Sequence, residues 1–294
     1  MIENRWMSSR AWFLPLPLLF IMASIIGWPF LRTVWTSFTD ARLLAATGEW
    51  VGLTNYLNAL ANPLVQSALL VTTKFVVYSV SIEFIAGVLA GLLLDQEFRG
   101  RTFLRALMIL PWALPTVVNA TMWRLIYQPD FGALNAMLTQ LGMIDSYRSW
   151  LGDPNSALWA VCLADAWKNF PLVALICLAA LQSVPSELKA AATIDGAGFW
   201  KKFRAVYLPF LAGPLTVAVV LRAIEAFKVF DIIWVMTRGG PANSTKSLSI
   251  VVYQEAFSFQ RAGSGASIAL IVALISAVFT ALYVSAMRRQ AEVR

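Results

Sequence analysis

Ala11–Leu31, Ala106–Trp123, Asn169–Ser186, Ala205–Leu221 and Ala262–Met287 each run for 17 residues or more without Asp, Glu, Lys or Arg. A sixth, Phe75–Leu94, is interrupted by Glu83 alone. A helix rises about 1.5 Å per residue, so about 20 apolar residues cross a hydrocarbon core of about 30 Å. The runs predict an all-α membrane protein with about six spans, near 12–36, 68–94, 103–127, 157–183, 208–236 and 265–287, forming one domain over 1–294. The short alternating segments of a membrane barrel are missing. Composition leads the same way. With 59% hydrophobic and 13% charged residues, soluble domains of this length could not cover their apolar surface. Arg5 and Arg10 precede the first run as in a signal peptide, but the run leads into Trp28, Pro29 and Arg32 rather than a small-x-small cleavage site. It reads as a retained helix.

Basic residues set the expected orientation. With the N-terminus inside, the inside segments hold Arg5, Arg10, Arg99, Arg101, Arg105, Lys189, Lys201, Lys202, Arg204, Arg288, Arg289 and Arg294. The outside segments hold Arg42, Arg148, Arg238, Lys246 and Arg261. Twelve against five predicts both termini in the cytoplasm. The net charge of +7 is then a positive-inside bias that favours lipid surfaces, with no soluble basic domain to bind nucleic acid.

The chemistry a chain of this kind can perform is limited. It has no histidine, and its two cysteines, Cys162 and Cys177, form no Cys-x-x-Cys pair. That removes the commonest general base and argues against a metal centre. Gly240–Ser247 approaches a phosphate-binding loop but has Thr245 where the second glycine belongs. No cofactor is expected on the chain itself, so energised work would draw on a partner or an ion gradient.

One long polar connection, 184–207, separates the fourth and fifth spans. Pro185 ends the preceding span, Ser186 can cap a new helix, and Glu187 suits the positive end of its dipole. Ala190, Ala191 and Ala192 favour a smooth-faced helix, and Gly196 permits a left-handed stop. Such a helix can dock in a partner's groove or serve as an interfacial connector.

Ala191-Ala192-x-x-Asp195-Gly196-Ala197, followed by Phe203, Leu208-Pro209 and Pro214, resembles the EAA loop of bacterial ATP-binding-cassette (ABC) importer permeases. Other segments are similar to the carbohydrate-uptake, maltose/trehalose-type branch: Ser37-Phe38-Thr39, Val51-Gly52-Leu53-x-Asn55-Tyr56, Phe98-Arg99-Gly100-Arg101, Leu110–Pro115 with Trp123, and Phe230–Thr245. The family's first EAA position usually carries Glu; here it is Ala190, with Glu187 one turn earlier.

The resemblance implies a type I importer permease subunit without catalytic residues, paired with a second permease subunit. Two cytoplasmic ATPases, which carry the ATP and Mg, would grip the loop at Glu187, Ala191, Ala192, Asp195, Gly196 and Ala197. A periplasmic or lipid-anchored binding protein would deliver a sugar, meeting the chain near Gly239, Gly240, Pro241 and Asn243. Permeases for a polyol, a glycerol phosphodiester or an anionic sugar derivative are alternatives. An ion-coupled secondary transporter is another.

Charges inside a membrane are costly and mark function or a satisfied network. Glu83, Asp165, Lys168, Glu225, Lys228 and Asp231 lie within the expected spans, with Arg124 and Arg222 nearer span ends. Glu225, Lys228 and Asp231 are spaced by three and share a stripe on a continuous helix. They could recognise sugar hydroxyls, relay ions or hold helices together. Asn119, Trp123, Trp167 and Asn169 suit sugar binding, because amides bond hydroxyls and indoles stack on sugar faces. Pro111, Pro115 and Pro171 should break or kink their helices.

Overall fold

The computed structural model describes residues 15–44 and 48–292. Arg5, Arg10, Arg294 and the start of the expected first span lie outside the described residues, as do the side chains of Arg288 and Arg289. Among the described residues the regular structure is helical apart from one isolated bridge between Thr39 and Trp50. They divide into two compact units. One comprises the chain up to Pro63 with Val251–Ala273, and the other Leu64–Ile250 with the chain from Leu274 onward.

In the first unit, α1 (Leu16–Ser37) is apolar enough to span a bilayer and buries none of that apolar window within the protein. Its end is tied to α2 (Thr54–Ala61). Asn55 Nδ2 donates to the carbonyls of Ser37 at 2.9 Å and Thr39 at 2.8 Å, and the Tyr56 and Ser37 hydroxyls lie 2.6 Å apart. Phe38 stacks on Trp50 at 5.3 Å. The Ser37-Phe38-Thr39 and Asn55-Tyr56 segments of the resemblance are thus two halves of one fastening.

The second unit is built on α3 (Pro63–Asp95), α7 (Ala157–Gln182) and α9 (Phe199–Phe227). α3 and α7 meet almost backbone to backbone. A Cβ on Gly87 would lie 2.6 Å from Val173 Cβ, and one on Gly91 2.8 Å from Cys177 Cβ. Gly87 and Gly91 are four apart on one face, which is how helices approach closely in lipid. Val173, Cys177, Leu181, Leu211 and Leu215 fill the space alongside, packed on Phe84, Val88 and Leu92.

Between α3 and α7 in sequence come α4 (Arg101–Ala113), α5 (Thr116–Ile126) and α6 (Ala133–Gln140). The expected third span is therefore two helices, bent by 98°. Leu114 is extended (φ −73°, ψ 136°) because the proline that follows excludes the helical conformation there. Pro111 and Pro171 lie inside α4 and α7, which remain helical around them.

Helix α8 (Ser186–Ile194) follows α7 and buries no residue. Ser186 is its first helical residue rather than a side-chain cap, since Pro185 occupies the cap position and no side chain bonds the first turn. Gly196, at φ +64°, stops it as expected, with Gly196 N–H on the Thr193 carbonyl at 3.1 Å and Ala197 N–H on that of Ala192 at 2.9 Å. Helix α9 ends at Phe227, so the expected 208–236 span is interrupted before α10 (Asp231–Met236). α11 (Leu248–Tyr253) and α12 (Ala262–Glu292) complete the chain.

The glycine seam yields a direct test. Gly91→Leu should lower the melting temperature of the detergent-solubilised protein by several degrees, the cost of overpacking being about 1–3 kcal/mol or more. Gly213→Leu, where nothing lies within 4 Å of the added Cβ, should leave it nearly unchanged.

Candidate functional site

An arginine sits among carboxylates where α3, α7 and α9 meet. Arg222 on α9 grips Glu83 of α3 with two bonds, Nε to Oε2 at 2.7 Å and Nη2 to Oε1 at 3.0 Å. Its Nη2 also reaches Asp165 Oδ2 of α7 at 3.3 Å, and its Nη1 reaches Glu225 Oε2 one turn along α9 at 2.6 Å. Glu83 is 0% exposed, Arg222 5% and Asp165 7%. The Ser79 hydroxyl lies between the carboxyls, 2.9 Å from Glu83 Oε1 and 2.6 Å from Asp165 Oδ2. Asn169 Nδ2 donates to Asp165 Oδ1 at 3.1 Å.

The forked guanidinium suits this geometry because it satisfies several oxygens in one plane. An unpaired charge at this depth would cost several kcal/mol, so each partner holds the others in place. Sequence reading placed Arg222 near a span end. The structure buries it within α9 as the centre of the network, and its i, i+3 spacing to Glu225 is the signal that could have found it.

One edge of the network opens on a cavity of about 420 Å³. Asp165, Glu225 and Asp231 line it with Lys168, Arg222 and Lys228, and Asn169 lies beside them. The expected stripe of Glu225, Lys228 and Asp231 does not run along one helix. Lys228 closes α9 with φ −97° and ψ 16°, and Asp231 starts α10. The break nevertheless turns all three toward one space. Glu225 is held by Arg222 yet keeps 63% of its side chain exposed. Lys168, Lys228 and Asp231 make no side-chain ion pair or hydrogen bond among the described residues. Counting Glu83 behind the wall, four carboxyls face three cations, so the site is nearly balanced in charge.

Asn119 and Trp123 lie on α5, where Asn119 Nδ2 donates to the Ala164 carbonyl of α7 at 3.1 Å. Its Oδ1 and the Trp123 indole Nε1 are buried without a partner. Trp123 stands edge-on to Trp167 at 6.0 Å. An unpaired acceptor and donor one turn apart match what a hydroxyl supplies.

At the far end of α7, α8 and the start of α9 enclose an open groove of about 820 Å³, lined by Leu188, Ala191, Ala192, Asp195, Ala197 and Trp200 among others. Trp200 is 77% and Ile194 86% exposed, and Glu187 lies in the first turn of α8. The Gly239, Gly240, Pro241 and Asn243 segment is a tight loop. Thr245 Oγ1 donates to the Gly240 carbonyl at 2.7 Å, and Arg238, Ala242 and Asn243 take positive φ of 52°, 48° and 63°. Non-glycine residues held in that region are strained and point to a fixed shape.

A family model described as binding-protein-dependent transport system inner membrane component matches residues 83–291. The chain is 38% identical over 273 residues to the trehalose/maltose transport system permease protein MalF of Thermococcus litoralis, covering 93% of this chain and 92% of that one. It also superimposes on a bacterial ABC transporter involved in import of the acidic polysaccharide alginate, with TM-score 0.84, 20% identity and coverage of 98% and 99%. A second structure, the alginate transporter in complex with an alginate pentasaccharide-bound periplasmic protein, matches with TM-score 0.84, 19% identity and 98% of both chains.

The two classes of charge should separate by mutation. Arg222→Gln leaves Glu83 and Asp165 buried without their cation and should cost about 3 kcal/mol or more, read as loss of monodisperse protein on size exclusion. Asp231→Asn, with no partner to strand, should purify and melt like wild type.

Proposed function

The chain belongs to the family of binding-protein-dependent transport system inner membrane components, and from that premise we propose that it is one permease subunit of an ATP-driven importer for a neutral di- or oligosaccharide. The observation that carries the reading is the cavity. It presents amide, carboxylate and ammonium groups without an excess of one sign strong enough to select an ion. Hydroxyls can donate to Glu225, Asp231 and the Asn169 Oδ1, whose amide nitrogen is already spent on Asp165, and accept from Lys168 and Lys228. Asn119 and Trp123, with a buried acceptor and donor left unpaired, and the neighbouring Trp167 would extend the pathway. The trehalose/maltose relative supports a neutral sugar over the acidic polysaccharide of the alginate system.

The chain is a transport component and performs no catalysis, so its energy comes from ABC partners. A second permease subunit would complete the pathway. Two ATPases holding ATP and Mg would dock on the bare face of α8 through Glu187, Ala191, Ala192, Asp195, Gly196 and Ala197. Closure of those ATPases would push α8 and flip the pathway from inward- to outward-open. Both termini would lie in the cytoplasm, and a periplasmic or lipid-anchored binding protein would deliver the sugar near Gly239, Gly240, Pro241 and Asn243. The fixed shape of that loop suits a docking surface, because little ordering remains to be done on contact.

Pull-down of the tagged chain from its native membranes should recover an ATPase whose activity rises with a loaded binding protein. Reconstituted with those partners, the complex should take up trehalose or maltose and exclude alginate oligosaccharide. Gly196→Pro should abolish uptake while ATP hydrolysis persists, because the left-handed stop of α8 is lost. Uptake by the purified chain alone under a proton gradient would overturn the reading.

A further inference from the structure

A second ionic clasp joins the same three helices at their other ends. Lys189 of α8 donates from Nζ to the Leu181 carbonyl of α7 at 3.1 Å. The same ammonium lies 3.6 Å from Asp95 Oδ2, the last residue of α3, and 5.8 Å above the Tyr207 ring of α9. One side chain thus reaches α3, α7 and α9 from the helix that carries the groove. Its other neighbours on α8 are exposed: Glu187, Leu188 and Ala190 all face outward.

The Arg222 network fastens these helices at Glu83, Asp165 and Arg222. At about 1.5 Å per residue, the two clasps are about 18 Å apart along α3, about 24 Å along α7 and about 22 Å along α9. The interval is filled by the Gly87–Gly91 seam and by the core of Val173, Cys177, Leu181, Leu211 and Leu215. Side chains packed without voids and pinned at both ends slide poorly, because interfaces of this kind shift between discrete arrangements rather than deform.

We propose that Lys189 is a positioning residue that locks α8 to the joined cytoplasmic ends of α3, α7 and α9, so that the four helices move as one rigid body. Displacement of α8 is then delivered undiminished to the α3, α7 and α9 residues that line the cavity. The mechanical consequence rests on the importer reading; the lock itself is a property of this chain.

Spin labels on Leu93→Cys and Ile194→Cys report the α3–α8 distance, because both positions are exposed while the native Cys162 and Cys177 are buried. In the assembled complex with its ATPases, the wild-type background should give one narrow distance that is unchanged between nucleotide-free and ATP-bound states. Lys189→Met should broaden it about twofold and let it shift with nucleotide. Lys189→Arg should restore the narrow distance, and Asp95→Asn combined with Lys189→Met should be no broader than Lys189→Met alone. An unchanged distance in Lys189→Met would overturn the proposal. So would loss of ATPase co-purification at wild-type width, which would assign Lys189 to the docking face instead. The same measurement on the chain alone in nanodiscs decides the lock even if no ATPase is recovered, an outcome that would count against the importer reading only.

Discussion

A guanidinium kept away from water must find its counter-charges within the protein, and this requirement governs the second unit. Arg222 can be satisfied only if Glu83, Asp165 and Glu225 arrive at the same depth from α3, α7 and α9. That fixes the axial register of the three helices, since slipping one by a single turn would remove its carboxyl by about 5.4 Å. Gly87 and Gly91 then become necessary, because only a helix face without side chains lets α3 come near enough to α7. The polar cavity follows in turn. It lies where α9 stops at Phe227 and α10 begins at Asp231, beside the network rather than within it.

Much of this was legible in the residues. Uncharged runs announced an all-helical chain with five or six helices apolar enough to cross a membrane, because lipid imposes a length on any helix that crosses it. Gly196 announced the end of α8, and Pro115 the bend of the third span. What the runs could not reveal is which charge belongs to the interior. A run is delimited by its charges, so Arg222 closed one and was set near a boundary, whereas packing places it at the centre. The stripe of Glu225, Lys228 and Asp231 failed as helical periodicity because the chain breaks at Lys228, yet the three side chains line one space. Ser37 with Asn55, and Ser79 with Asp165, are contacts across sequence separations of 18 and 86 that no local pattern contains.

The intramembrane charges therefore divide by partner rather than by position. Glu83, Asp165 and Arg222 are satisfied by one another and hold helices. Lys168, Lys228 and Asp231 have no ion-pair or hydrogen-bond partner among the described residues and face open space, which is the condition for meeting a ligand. Glu225 belongs to both sets, with one oxygen on Arg222 and most of its side chain exposed at the lining of the cavity. The proposed transport cycle requires this division, since a group that braces the scaffold cannot also release it at every turnover.

The separation has a consequence for descent. Substituting Arg222, Glu83 or Gly91 disturbs the frame and demands a compensating change on another helix. Lys168, Lys228 and Asp231 owe nothing to their neighbours. Under the proposed function, a lineage could exchange them one at a time, sampling new cargo while the scaffold stays intact. A subunit arranged in this way can diversify its diet without first learning to fold again.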